Sequence, residues 1–188
     1  MSSRKLIVAV AGLPGSGKSM MVRAAAEKGY AVVIMGDEVR EEAKRRGIEA
    51  TPENMGRIML ELRRLEGDAS IARRCIPKIE KIRESRLAVD GVRSLSEVEE
   101  FKSRFASVVT VAVHSSPETR FRRLYNRQRS DDPKNWAIFR ERDLRELSVG
   151  LGNAIAMAEH VIVNEGTLST ARSRAAEVLR EIERAWRR

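Results

Sequence analysis

Disulfide chemistry is closed to this chain, because Cys75 is its one cysteine in 188 residues. The same scarcity leaves no thiol pair for a metal and fits a reducing compartment, so a cytoplasmic location is expected. Cys75 itself falls in a helical stretch among apolar neighbours and is expected in the core. Histidine occurs at His114 and His160, with no cysteine or carboxylate at ligand spacing, so both are expected to be structural. Long apolar runs are also missing. The longest, Leu6–Ala11, falls far short of the ~20 residues that cross a membrane, and Gly12 and Pro14 interrupt it at once. It lacks the length and cleavage site of a secretory signal, so no membrane partner is expected. Aromatic residues are few, and Trp136 and Trp186 are assigned to ordinary packing. No repeat, low-complexity tract or Pro/Gly/Ser-rich linker divides the chain, which is expected to form a single domain over residues 1–188.

Charge, by contrast, is abundant. The formal net charge of +9 favours polyanions, nucleotides and nucleic acids alike. Arginine far outnumbers lysine, and it alternates with glutamate along helical stretches such as Glu61-Leu62-Arg63-Arg64-Leu65-Glu66. Solvated helix faces carrying ion pairs account for such a run better than a nucleic-acid patch does. A nucleic-acid or protein partner therefore stays open without being favoured. Gln128 is the only glutamine, a usage that a hot habitat would explain.

Short β-branched apolar runs alternate with helical patterns: Lys5–Ala11, Ala31–Met35, Arg86–Asp90, Ser107–His114 and His160–Val163. Such alternation predicts an α/β fold in three layers, with a five-stranded parallel sheet covered on both faces. Thr51-Pro52 and Ser116-Pro117 each place a capping hydroxyl before a proline at a first helical position. A last helix is predicted from about Leu168 to Trp186. Two long connections interrupt the alternation. Residues 36–85 read as two or three helices, and residues 127–158 as a polar, Arg-rich segment. Both follow carboxyl ends of strands, where open α/β sheets bind ligands, so they are read as substrate clamps or lids.

The strongest motif is Gly12-Leu13-Pro14-Gly15-Ser16-Gly17-Lys18-Ser19, a full match to G-x-x-x-x-G-K-[ST] between a predicted strand and an Ala-rich helix. Its glycines let successive N–H groups turn toward phosphates, and the helix adds its positive end. ATP is the expected occupant. Lys18 should reach the β- and γ-phosphates, facing solvent when the cradle is empty, and Ser19 should offer its hydroxyl to Mg²⁺. Asp90 ends a predicted strand beside the cradle strand. A carboxylate there can hold Mg²⁺ directly or through water, or simply close the turn at Gly91. Arg40 and Arg93 carry planar forks suited to a phosphate, or to surface pairs with Glu41 and Glu97.

Beyond the cradle, Met35-Gly36-Asp37-Glu38-Val39-Arg40, Val89-Asp90-Gly91-Val92-Arg93 and Ile162-Val163-Asn164-Glu165-Gly166 resemble motifs of the nucleoside monophosphate kinase group. The similarity spans nearly the whole chain and is closest to the archaeal adenylate kinase-related proteins of the UPF0200 type. The resemblance implies that Arg40 holds the acceptor phosphate from the start of the monophosphate-binding helix. It implies that Arg93 grips AMP from a turn that here lacks the family proline and is one residue shorter. It places Asn164 and Gly166 in the loop that touches adenine, where the residues alone read equally as an ordinary turn. Residues 127–158 resemble the family lid. Arg120 and Arg123 enter it, Arg127 and Arg129 stand at its base as the favoured catalytic arginines, and Arg140, Arg142 and Arg145 follow the turn Asp131-Asp132-Pro133. No Cys or His cluster marks a structural zinc there.

Asp37 has two readings. With an alcohol acceptor it would take the proton, as in the neighbouring dephospho-coenzyme A kinases; with a phosphate acceptor it would cap a helix or orient Arg40. The arginine of the Asp90 motif tips the choice toward a phosphate. The expected function is therefore Mg²⁺-dependent transfer of the ATP γ-phosphoryl to a nucleoside monophosphate, AMP first. Its rivals are an alcohol kinase of the dephospho-coenzyme A type and a nucleotide-responsive binding protein with weak ATPase activity.

Overall fold

A computed structural model describes residues 5–129 and 132–187, the side chain of Pro52 excepted. Its centre is β1 (Leu6–Ala11), every residue of which is buried. That follows from its place: β1 pairs in parallel with β3 (Arg86–Val92) on one side and β4 (Ser107–His114) on the other, with layers above and below. A strand covered on both faces can be apolar at every position, and this one is. The edge strands β2 (Ala31–Ile34) and β5 (His160–Val163) complete the order β2-β3-β1-β4-β5, all parallel.

One face of the sheet presents Leu6, Val8 and Val10 to α1 (Lys18–Glu27) and α9 (Leu168–Arg187). The other presents Ile7, Ala9, Leu87 and Val89 to a cluster built by α2 (Gly36–Arg45), α3 (Pro52–Glu66), α4 (Ser70–Lys81) and α5 (Leu95–Arg104). Three layers result, as the alternating pattern predicts. Cys75 lies in the second cluster, and burial pushes its thiol up to about 12. Three further helices follow β4: α6 (Pro117–Arg127), α7 (Trp136–Ser148) and α8 (Leu151–Ala156). Ser130 and Asp131, the latter part of the expected turn, lie outside the described residues.

The predicted caps form. Thr51 Oγ1 accepts from Asn54 N at 3.2 Å and Ser116 Oγ from Thr119 N at 3.3 Å. Ser94 and Asn135 do the same for α5 and α7, through Glu97 N at 3.2 Å and Ile138 N at 2.9 Å. The first two strands come out one residue shorter than expected, β1 starting at Leu6 and β2 ending at Ile34, and the third comes out longer. β3 does not stop at Asp90: Gly91, at φ 95°, slips out of register so that Val10 faces Asp90 and Ala11 faces Val92. The left-handed backbone at this bulge is cheap only for glycine. It lets the strand continue while turning Asp90 and Arg93 toward the carboxyl edge of β1.

Phe101 is fully buried at the centre of the larger cluster, whereas the Thr51 cap is partly exposed. Phe101→Ala should therefore destabilise the protein by about 3–5 kcal/mol and Thr51→Ala by about 1 kcal/mol. Urea midpoints at constant m-value test this; equal losses would mean that the cluster is not the principal core.

Candidate active site

The cradle closes around its own main chain. Ser16 N donates to Leu13 O at 3.1 Å, and Gly17, at φ 96°, caps α1. No larger residue fits here, since a Cβ at Gly17 would overlap Asn164 Nδ2 and one at Gly15 would come within 2.8 Å of Arg120 O. Asn164 is buried and donates from Nδ2 to Ser16 O at 2.8 Å, so it supports the cradle from beneath. Arg123 bonds Ser115 Oγ at 2.9 Å and Asn164 O at 3.0 Å, completing that support. Gly166 is exposed beside Thr170, outside this network.

Lys18 does not face solvent as expected. It is half-buried, and Nζ folds back to donate to Gly12 O at 2.6 Å and Leu13 O at 3.4 Å. Desolvation holds its pKa down at about 8; Asp90 opposes the shift and Arg93 adds to it. Asp90 is half-buried, and burial pushes its carboxyl up against the pull of Lys18 and Arg93. Its Oδ1 is shut off from solvent without a hydrogen-bond partner. An orphaned carboxylate oxygen beside a phosphate cradle has the chemistry a hydrated cation needs. Ser19, in the first turn of α1, is exposed. Ser19 and Asp90 are thus the residues that would hold Mg²⁺, which would neutralise phosphate charge.

Next to the cradle lies a chamber of about 200 Å³ lined by Lys18, Asp90, Arg40 and Arg93. It adjoins a cavity of about 620 Å³ between α2, α3 and α7, also lined by Arg40 and Arg93 and further by Arg142 and Arg145. Arg40 pairs with Asp37 through Nε at 3.1 Å and Nη2 at 2.8 Å, not with Glu41, whose carboxylate meets Lys78. Met35 occupies the cap position of α2, so Asp37 orients Arg40 instead of capping. Arg93 likewise avoids a side-chain pair with Glu97. Its Nε lies 3.1 Å from Glu146 of α7, while its backbone N donates to Glu97 Oε2 at 2.7 Å.

Among the arginines of residues 127–158, the structure separates two groups. Arg142 and Arg145 line the large cavity. Arg127 Nε and Nη2 bond Asp132 at 3.0 and 2.5 Å, and Arg129 N donates to the same carboxylate at 2.9 Å; neither residue lines the chamber or the cavity. Arg120 is buried and paired with both oxygens of Asp143 at 2.8 and 2.6 Å. Its Nη1 also reaches Pro14 O at 3.2 Å, and its guanidinium lies 4.9 Å over the Phe139 ring. Sequence reasoning missed Asp143 and Glu146, although their spacing of three on an Arg-rich helix was a usable signal. It also missed the buried pair of Arg63 with Glu97, which the Ser94-x-x-Glu97 capping pattern could have flagged.

A UPF0200 protein from Hyperthermus butylicus is 49% identical over 177 residues, covering 94% of this chain and 95% of its own. The chain belongs to the UPF0200 family. A second UPF0200 protein, from Methanocaldococcus jannaschii, is 43% identical over 94% of this chain and 90% of its own. Residues 11–140 match a family described as an AAA domain. Among solved structures, a shikimate kinase from Acinetobacter baumannii, in complex with shikimate, aligns with a TM-score of 0.60 at 16% identity, over 97% of this chain and 96% of its own. A gluconokinase from Sinorhizobium meliloti gives 0.58 at 18% identity, over 99% and 98%. This UPF0200 family member thus has the fold of P-loop kinases.

If Lys18 reaches the phosphates, nucleotide binding should depend on pH. Phosphate oxygens favour the charged lysine, so its bound pKa lies above the free value of about 8. Between those two values binding takes up a proton, and ATP affinity should fall by up to about tenfold per pH unit as pH rises above 8. Titrations from pH 7 to 10 at fixed ionic strength should show that slope in wild type and lose it in Lys18→Met. A flat wild-type profile would contradict the assignment of Lys18 to the phosphates.

Proposed function

We propose that this protein transfers the γ-phosphoryl of Mg-ATP to a nucleoside monophosphate, with AMP as the acceptor. The observation that carries the reading is the continuity of the two cavities: Arg40 and Arg93 line both the Lys18–Asp90 chamber and the larger cleft. A donor phosphate on the cradle and an acceptor phosphate on these arginines would meet in one continuous cleft. An acceptor phosphate oxygen would form the new bond to the γ-phosphorus as its bond to the bridging β–γ oxygen breaks, leaving one ADP on each side. A phosphate dianion needs no strong base for this step, consistent with Asp37 being occupied by Arg40.

In this reading Gly12 to Gly17 and Lys18 hold the triphosphate, Ser19 and Asp90 the metal, and Arg40 and Arg93 the acceptor phosphate. Arginines that meet charge only as it develops on the transferring group accelerate the reaction most. The arrangement supports Arg142 and Arg145 in that role ahead of Arg127 and Arg129, which gather around Asp132.

A transfer screen with Mg-ATP against AMP, GMP, CMP, UMP and dephospho-coenzyme A tests the proposal. AMP should yield ADP, with hydrolysis by water far slower. Phosphorylation of dephospho-coenzyme A with AMP ignored would overturn the acceptor assignment, and tight binding of ATP and AMP without ADP formation would make the protein a sensor. Arg40→Ala should raise the KM for AMP more than tenfold while leaving that for ATP within about twofold, an effect sized for a charge-assisted phosphate contact. Arg142→Ala should lower kcat by roughly 10²–10³, and Arg127→Ala by less. The reverse order would return the catalytic role to the base of the lid.

A further inference from the structure

Arg93 is gripped by carboxylates from two directions. From α5, Glu97 takes its backbone N–H at 2.7 Å; Glu97 is completely buried and is itself engaged by Arg63 through its other oxygen. From α7, Glu146 forms an ion pair with its guanidinium, Oε2 lying 3.1 Å from Nε, with the glutamate side chain 7% exposed and the arginine 37%. The ion pair lies at the Nε edge of the guanidinium. Its two terminal nitrogens make no hydrogen bond to another described residue, and Arg93 lines both cavities, so a planar fork is available to a phosphate there.

Glu146 is held in place by its own helix. It follows Asp143 by three residues, so the two acids share a face of α7. Asp143 is clamped by Arg120, which in turn bonds Pro14 O of the cradle. The height and rotation of α7, and with them the carboxylate of Glu146, are thereby referenced to the phosphate cradle. We infer that Glu146 is a positioning residue, which aims the terminal fork of Arg93 at the acceptor phosphate and couples that aim to the seating of α7. The inference rests on the phosphate-acceptor reading given above.

A carboxylate next to a phosphate site can act in two opposite ways, and this makes the inference testable. If Glu146 only masked Arg93, removing it would free the arginine and tighten phosphate binding. If it positions Arg93, truncation weakens binding, while an isosteric amide, which keeps an oxygen beside the guanidinium though not the charge, loses less. Calorimetric titration of the full chain with AMP, inorganic phosphate and ATP, on wild type, Glu146→Ala, Glu146→Gln and Arg93→Ala, separates these outcomes. Glu146→Ala should weaken AMP binding roughly ten- to a hundred-fold, approaching Arg93→Ala, with Glu146→Gln within a few-fold of wild type. ATP affinity should change little in either Glu146 variant, which a general loss of structure would not allow.

Tighter or unchanged AMP binding in Glu146→Ala overturns the inference even where AMP proves to be the acceptor. If AMP is not bound but inorganic phosphate is, with the same dependence on Glu146, the positioning role stands and the monophosphate reading falls. A wild type that binds neither overturns the inference. The arginine side-chain ¹H–¹⁵N spectrum supplies a readout that needs no ligand and covers a Glu146→Ala variant that fails to fold. The Arg93 Nε resonance should move between wild type and Glu146→Gln, as loss of a neighbouring carboxylate charge requires, and an unchanged resonance would refute the contact itself.

Discussion

Arg120 joins the phosphate cradle, the sheet and α7 through one buried side chain. Its guanidinium donates to the cradle at Pro14 O, to Ser115 O just past β4 at 3.1 Å, and to both oxygens of Asp143 on α7, and its flat face covers Phe139. A buried ion pair of this kind contributes little net stability, because removing two charges from water costs several kcal/mol per ion. What it does contribute is registration. Once Arg120 is ionised and enclosed, any arrangement that moves α7 away from the cradle strands a charge, so the two parts hold a fixed relation. The chamber, the cleft and the arginines around them inherit their geometry from that relation.

The fold was largely readable in the sequence, for reasons that are local. A strand buried on both faces must be apolar throughout, as Leu6–Ala11 is, and a helix start needs a capping oxygen, as Thr51 and Ser116 supply. The cradle was readable for the same reason: Gly15 and Gly17 sit where other residues do not fit, and the motif is contiguous. The bulge at Gly91 was not, because it depends on how β3 pairs with β1, and pairing is a property of two distant segments.

The site's ion pairs were the least readable part. Nothing near Arg93 in the chain shows that Glu146 will pair with it, and nothing near Arg127 singles out Asp132 from the other acids. With 36 Lys and Arg and 27 Asp and Glu in the chain, the possible pairs far exceed those formed, and only packing selects among them. Asn164 shows the same limit in another form. The resemblance implies a loop that touches adenine, but nothing in the motif foretells that the folded chain sets the Asn164 amide under Ser16, where it supports the cradle.

The sheet also has a social side. Both outer strands, β2 and β5, have only four residues each, and their outward valines and isoleucine (Val32, Ile34, Val161 and Val163) remain partly uncovered. An exposed strand edge is a template on which another chain can pair, and apolar side chains make that pairing stickier. Here the template is too brief to hold a long ladder, and copies bearing a formal charge of +9 repel one another before edges can meet. Brevity of the edge and surplus positive charge therefore act together as a colloidal safeguard, allowing a continuous apolar strand at the centre without an aggregation-prone rim.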